Sequence, residues 1–170
     1  MAITKLQSEA LNLADDYTFT GSLNIGVPYF RIYSSTATSV SDNATTVIAL
    51  QSSTYDDSSF HDTTNNRIKV PSGYTNVPFL ITWRIRMNYD SIGDNTVGAC
   101  RVNGTARDQD FRFYAGQEGE VISYGGSFVY ELSTDDYVDL TMFQDSGSNQ
   151  AKSNNTGMAH TYLSGFKIQV

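Results

Sequence analysis

The segment Phe79–Tyr89 (FLITWRIRMNY) constrains the fold more than any other part of the chain. Six apolar residues, the last of them Tyr89, occupy every second position, so they lie on the same side of an extended strand. Arg84 and Arg86 lie on the opposite, polar side. The pattern predicts a long strand with one face in a hydrophobic core, and the predicted core residues are Phe79, Ile81, Trp83, Ile85 and Met87.

The last third of the chain predicts three more strands, in Phe128–Leu132, Tyr137–Gly147 and Tyr162–Val170. The polar run Ser133, Thr134, Asp135 and Asp136 between the first two strands has the composition of a tight turn. Within the second strand, Asp139 and Thr141 alternate with apolar residues, which predicts a half-buried strand. The core residues predicted from these segments are Val138, Leu140, Met142, Phe166 and Ile168.

Short strand patterns separated by polar turns also fill the chain from Pro28 onward, as expected for an all-β sandwich or barrel. The pair Asn103-Gly104 is the clearest hairpin-turn signal, because both residues tolerate positive φ. The single Cys100 cannot form an intrachain disulfide, so packing alone must hold the fold. The remaining predicted strands are Tyr29–Tyr33, Thr45–Leu50, Asn66–Val70, Val97–Val102, Phe111–Tyr114 and Val121–Tyr124.

The first residues differ from the rest, and we assign residues 1–27 to an N-terminal anchoring arm and residues 28–170 to one domain. Ile3, Leu6, Ala10 and Leu13 recur at helical spacing, but an isolated helix of this length is unstable in water, so the arm needs a partner surface. A disordered tail is the alternative. The segment resembles the opening of many virion proteins of tailed phages, particularly marine and cyanobacterial phages. The predicted partner-contacting residues are Ile3, Leu6, Leu11, Leu13, Tyr17 and Phe19.

The order of strands from Tyr29 to Val170 resembles the globular heads of the first complement component and the tumour necrosis factor ligands. The resemblance rests on the long aromatic strand, the Cys100–Gly104 turn (CRVNG) and the three closing strands. An additional stretch, Asn76–Pro78, and the long polar loop Ser148–Gly157 depart from the family pattern. The resemblance implies an antiparallel two-sheet jelly-roll sandwich that assembles as a homotrimer.

The subunit contact has one further, independent indication in the sequence. We expect Tyr130, beside Val129, to lie on an exposed strand face, and exposed apolar area often marks a subunit interface. A monomer with a tyrosine-rich surface is the alternative.

The residues with catalytic or metal-binding chemistry predict neither an enzyme nor a cofactor. His61 and His160 lie in separate polar stretches, and no nucleophile turn, metal-protease pair or phosphate loop is present. The acidic pairs, such as Asp56-Asp57, lack the spacing of a calcium loop and are expected to be solvated turn residues. The net charge of −7, without a cluster of basic residues, argues against nucleic acid. No apolar run approaches the roughly 18 residues of a membrane span.

These features together predict a structural virion protein on the outer surface of a phage particle. We expect a trimeric capsid decoration (cement) protein, bound through its arm to the major capsid protein or another virion protein. The short arm and the lack of a coiled-coil or β-repeat shaft favour this role over a fibre. The alternative is a tail or head fibre knob that binds a host receptor or glycan, with exposed tyrosines and Trp83 stacking on sugars.

Overall fold

The computed structural model describes residues 27–88, 95–113, 121–152 and 160–168. The predicted partner-contacting residues Ile3, Leu6, Leu11, Leu13, Tyr17 and Phe19 lie outside the described residues, and the arm therefore stays a prediction. All regular secondary structure in the described ranges is β-strand. In chain order the strands are β1 (Tyr29–Tyr33), β2 (Ser39–Val40), β3 (Thr46–Ile48), β4 (Ser52–Asp56), β5 (His61–Asp62), β6 (Arg67–Lys69), β7 (Val77–Asn88), β8 (Asn95–Val102), β9 (Thr105–Phe113), β10 (Val121–Leu132), β11 (Tyr137–Gln144), β12 (Gln150–Lys152) and β13 (Tyr162–Lys167).

The strands form two antiparallel sheets, which confirms the all-β, two-sheet class. The seven-stranded sheet has the order β2-β12-β7-β13-β1-β4, with β10 on the other side of β7. Strand β7 is the central strand of this sheet. β10 pairs along the whole of one edge of β7, and β13 and β12 pair with successive parts of the other edge. The six-stranded sheet has the order β5-β6-β11-β8-β9, with β3 also paired to β11.

The core lies between the two sheets and contains most of the residues predicted for it. Phe30 and Phe60 pack against Phe79 there, with ring centroids 6.4 and 5.7 Å from the Phe79 ring. The indole Nε1 of Trp83 donates to Asp108 Oδ2 at 2.8 Å, which links β7 of one sheet to β9 of the other. The predicted residues that the structure buries are Phe79, Ile81, Trp83, Ile85, Met87, Val138, Leu140 and Met142.

Two predicted core residues are not in the core. Phe166 is 46% exposed, and Ile168 is half-buried just beyond the end of β13. In β13 the inward side belongs to Leu163 and Gly165, so alternation puts Phe166 outside. Only glycine fits at inward position 165, because the Phe30 ring occupies the space over it. A Cβ added there would lie 2.7 Å from Phe30 Cζ. Glycine contributes no apolar side chain to the sequence pattern, so the pattern alone predicts the wrong side for Phe166.

Strand β11 is buried on both sides, and the prediction of a half-buried strand is wrong. Asp139 is 5% exposed and Thr141 is 3% exposed, although both lie on the outer side of the six-stranded sheet. The strand is central, with β8 on one edge and β3 and β6 on the other. Arg101 on β8 covers Asp139 and forms a bidentate ion pair with it, in which Nε donates to Oδ1 at 2.8 Å and Nη2 donates to Oδ2 at 2.7 Å.

The predicted exposed side of β10 is also reversed. Tyr130 packs against the core, whereas Val129 is 57% exposed. The Tyr130 ring carries the guanidinium of Arg107, 4.8 Å from the ring centroid, so its outer edge is covered by β9. The exposed apolar area that the sequence suggested therefore exists, but Val129 rather than Tyr130 supplies it.

The two predicted turns are confirmed by their backbone angles. Asn103 and Gly104, between β8 and β9, both have positive φ (51° and 78°), as a two-residue hairpin turn requires. Asp135 in the turn between β10 and β11 also has positive φ (72°). The Asp136 carboxylate closes this turn by accepting from the Ser133 backbone N–H at 2.7 Å.

The sandwich has two distinct ends, which we call the entry end and the far end. The chain joins the described fold at Val27, at the entry end, where β13 ends and β7 begins. The turn between β10 and β11 lies at this end as well. Strand β7 ends at the far end, where β8 and β10 begin.

Cys100 is buried on the inner side of β8. Burial raises the pKa of its thiol well above the usual value, and the carboxylates of Asp139 and Asp108 raise it further. A thiol in such surroundings stays protonated and unreactive at neutral pH. It is a packing residue of the core. The described part of the chain contains no helix long and apolar enough to cross a membrane.

Candidate interaction face

The outer side of the seven-stranded sheet, called here the seven-strand face, carries a continuous row of apolar side chains. Tyr29, Phe166, Leu80 and Val129 lie directly opposite one another on β1, β13, β7 and β10. Tyr29 is 45% exposed, close to the value for Phe166, and Leu80 is half-buried. Adjacent residues on one face of paired strands lie about 5 Å apart, so this apolar row is a single surface feature.

The apolar row borders a cleft of about 340 Å³. On one side Tyr55 of β4 packs edge-to-face on Tyr29, with ring centroids 5.3 Å apart. The hydroxyl-bearing Thr82 and Ser164 line its other side. The cleft therefore combines exposed aromatic rings with hydrogen-bonding groups at the entry end.

Toward the far end the same face becomes polar and then cationic. Tyr162 of β13 supports the Arg31 guanidinium, which lies 3.9 Å from the ring centroid. Arg84 and Arg86 follow on β7, and Arg84 Nη2 donates to Ser123 Oγ at 2.8 Å. In the described ranges neither arginine forms an ion pair with a carboxylate. The face thus runs from an apolar end to a positively charged end.

His160, just before β13, lies close enough to these arginines for their charges to affect the pKa of its imidazole. Partial burial lowers the pKa of its imidazole, and the positive charges of Arg86 and Arg84 lower it further. The other histidine, His61, lies at the entry end with Nε2 2.8 Å from the Leu50 carbonyl oxygen. The two histidines are at opposite ends of the sandwich and do not form one site.

A second, polar cleft of about 470 Å³ opens at the entry end. His61, Ser72, Thr134 and an ion pair between Lys69 Nζ and Asp135 Oδ1 (2.9 Å) line it. Asp56 is more than the solvated turn residue expected from the sequence: its carboxylate accepts from the Phe60 and His61 backbone N–H groups at 2.6 and 3.1 Å. In the part of the chain that the structure describes, no group of three or more His, Cys, Asp or Glu residues could hold a metal ion.

The known structures that resemble this chain share its sandwich. No protein-family model matches the chain, and no curated protein matches it in sequence. The globular domain of the zebrafish complement 1qA protein has a TM-score of 0.57 at 9% identity, over 84% of this chain and 98% of that chain. The Eiger TNF of S. frugiperda has a TM-score of 0.58 at 11% identity, over 84% and 93%. Murine APRIL has a TM-score of 0.56 at 11% identity, over 84% and 100%.

These similarities confirm the predicted fold: the chain is an antiparallel jelly-roll sandwich of the C1q and TNF type. At this level of identity they concern the fold alone. The seven-strand face could not be predicted from the sequence, because its apolar row combines residues from four separate strands. The local signal in the sequence is the apolar run Phe128-Val129-Tyr130, because a strand cannot turn three consecutive side chains to the same side.

Proposed function

We propose that this protein is a trimeric structural protein of a phage particle, a capsid decoration protein that assembles through its seven-strand face. The apolar row of Tyr29, Phe166, Leu80 and Val129 is the observation that carries the proposed assembly, and the resemblance of the arm to phage virion proteins supports the location. Large apolar patches on soluble proteins mark contact surfaces, and oligomers of identical chains form closed symmetric assemblies. The similarity to C1q and TNF-type sandwiches supports a second copy of this chain as the partner.

The magnitude of the apolar contact decides how large the interface must be. Fully burying a large apolar side chain contributes about 1.5–3 kcal/mol, and these side chains are already partly covered. The row therefore contributes roughly 4 kcal/mol, while association costs at least about that much in lost motional freedom. A stable trimer must for this reason also use the polar middle of the face, around Thr82 and Ser164.

The attachment to the particle is proposed to run through the arm, residues 1–27. The chain joins the sandwich at the entry end, where the Lys167 backbone N–H donates to the Pro28 carbonyl at 2.9 Å. Three copies would present three arms at one end of the assembly, and such multivalent binding gains affinity without new contacts. The far end would then point away from the capsid, on the outer surface of the virion.

Two measurements test this function. Sedimentation equilibrium of the full chain should give the mass of three copies, against 18.8 kDa for one chain. The full chain and a variant lacking residues 1–16 should then be mixed with capsids that lack the decoration protein. We expect the variant to remain trimeric and to lose capsid binding. Equal occupancy by both proteins would refute arm attachment, and a monomeric full chain would refute the trimer.

The cleft at Tyr29 and Tyr55 favours one alternative, a fibre knob that binds a glycan. Exposed aromatic rings beside Thr82 and Ser164 hydroxyls provide the stacking and hydrogen bonding that sugars require. Trp83 does not take part, because its side chain is 1% exposed. A glycan array would distinguish the two functions: reproducible binding that Tyr55→Ala abolishes, together with no protein on the capsid shell, would favour the knob.

A further inference from the structure

The cationic end of the seven-strand face is a compact group of three side chains. Arg84 and Arg86 are two residues apart on β7, so their Cα atoms are about 7 Å apart and both side chains lie on the same side. The Arg86 backbone N–H donates to Thr161 Oγ1 at 3.1 Å. This bond fixes the start of β13 beside Arg86 and brings the neighbouring His160 to the same place.

The surroundings of this group give it no ion pair among the described residues, although the Asp110 carboxylate lies nearby and accepts from the Gly125 backbone N–H at 3.3 Å. Tyr162 and Gly125 are the cross-strand neighbours of Arg84, and Ser123 is the neighbour of Arg86. These residues are uncharged, and Ser123 Oγ occupies only one of the donors of Arg84. Among the described residues no carboxylate forms an ion pair with Arg84 or Arg86. The concentration of cations stands out in a chain whose net charge is −7.

We propose that Arg84, Arg86 and His160 form a binding site for a small oxyanion of the sulfate or phosphate class. The inference rests on the proposed trimer for its energetic need: a face buried between copies cannot hold unpaired arginines, because burying an unpaired charge costs several kcal/mol. A tetrahedral dianion placed between the two guanidinium groups and the imidazole could accept hydrogen bonds from all three with its four oxygens. Guanidinium forks match such oxygens in geometry as well as charge.

The site should strengthen as the pH falls. The pKa of His160 is lowered by partial burial and by Arg86 and Arg84, so the imidazole is neutral at pH 7. These arginines are the charged groups that face it in the described structure. A bound dianion offsets their repulsion and favours the protonated ring, which adds a third positive charge. Sulfate is the suitable ligand for this measurement, because it stays dianionic between pH 5 and pH 8 while phosphate does not.

The test is a calorimetric titration of the full chain with sulfate, at ionic strength held constant with sodium chloride. The oligomeric state is measured by sedimentation in the same buffers. We expect saturable binding that tightens from pH 8 to pH 5. Arg84→Gln and Arg86→Gln should each weaken it by about tenfold, the size of one charge-assisted hydrogen bond. Arg107→Gln, which removes a guanidinium stacked on Tyr130, should leave binding unchanged. His160→Gln should remove the pH dependence.

The outcomes separate this inference from the proposed function. A trimer that responds to sulfate no more than to chloride would overturn the anion site and point to carboxylates of a neighbouring copy as the partners of the arginines. A monomer that still binds sulfate through Arg84 and Arg86 would uphold the site and refute the trimer. A monomer without sulfate binding would refute both.

Discussion

The outer sides of the two sheets differ in how they satisfy their own side chains. On the six-strand face, the outer side of the six-stranded sheet, the central carboxylate of Asp139 is covered by Arg101. On the seven-strand face, Arg84 and Arg86 have no carboxylate partner among the described residues, and the apolar row crosses four adjacent strands. One face is complete in a single copy, whereas the other has the composition of a contact surface.

Exposed apolar residues alone do not make this distinction. The six-strand face also exposes Phe111, by 63%, and Val47, by 48%. On this face Phe111, Val97 and Phe143 lie opposite one another on β9, β8 and β11, but Val97 and Phe143 are half-buried. On the seven-strand face three residues of one row, Tyr29, Phe166 and Val129, are exposed by 45, 46 and 57%. Several strongly exposed residues within one row, more than continuity or a single exposed residue, therefore identify the contact surface.

The largest expected effect comes from placing a charge in the apolar row. Leu80→Glu should convert the proposed trimer to monomers, because three copies would each bury an unpaired carboxylate between subunits. The penalty is several kcal/mol for each copy. The measurement is sedimentation velocity over a range of protein concentrations.

The matched control for this prediction is Phe111→Glu on the six-strand face. That side chain is more exposed than any residue of the apolar row, and its replacement should leave the trimer intact. If both variants dissociate, or neither does, the two faces do not differ in the way described.

The next largest effect tests whether the six-strand face is complete in itself. Asp139→Asn should lower the free energy of unfolding by about 3 kcal/mol, because it leaves the Arg101 guanidinium without its counter-charge in a largely buried place. Asp135→Asn removes the carboxylate of the exposed pair with Lys69 and should cost less than about 1 kcal/mol. Urea unfolding of both variants provides the comparison, and equal costs would contradict it.

A third change acts on the link between the sheets and should not distinguish the faces. An added Cβ at Gly126 would overlap Asp108 Oδ2, the acceptor of the Trp83 indole N–H. Gly126→Ala should therefore lower the free energy of unfolding by about 1–3 kcal/mol, the cost of an unsatisfied buried donor. The trimer mass should not change. Ser127→Ala, at the exposed neighbouring position, is the control and should be close to neutral.

The smallest effect is a pH dependence at the edge of the six-stranded sheet. Partial burial raises the pKa of Asp62, but hydrogen bonds from Asn65 and Arg67 outweigh it and lower the pKa below its usual value. The carboxylate therefore adds stability above the unfolded pKa of 3.8, and this contribution is lost as the pH falls through the folded value. Asp62→Asn should flatten the dependence of the urea unfolding midpoint on pH below about pH 4. An unchanged slope of midpoint against pH would contradict the assignment.

The sequence predicts the elements that depend on local pattern. Strand β7 is predicted because apolar residues occupy every second position from Phe79 to Tyr89, and the turn at Asn103-Gly104 because its residues favour positive φ. Features made by distant residues are not predicted. Trp83 meets Asp108 only once two sheets pack, and Gly165 reverses the expected side of Phe166 because the Phe30 ring takes its place. The candidate site is of this second kind, since its residues lie on four strands that adjoin only in the folded sheet.

The single buried thiol makes the proposed assembly measurable by spectroscopy. Because Cys100 is protonated and enclosed, a cysteine introduced at the exposed Gln109 of β9 would be the only thiol that a spin label reaches in the folded protein. Each molecule would then carry one label on the six-strand face, away from the proposed contact. A threefold assembly and a twofold dimer each give one label-to-label distance, but the depth of the dipolar modulation reports three coupled spins in the first and two in the second. The enclosed thiol of the core thus allows the copies in the proposed assembly to be counted without a crystal.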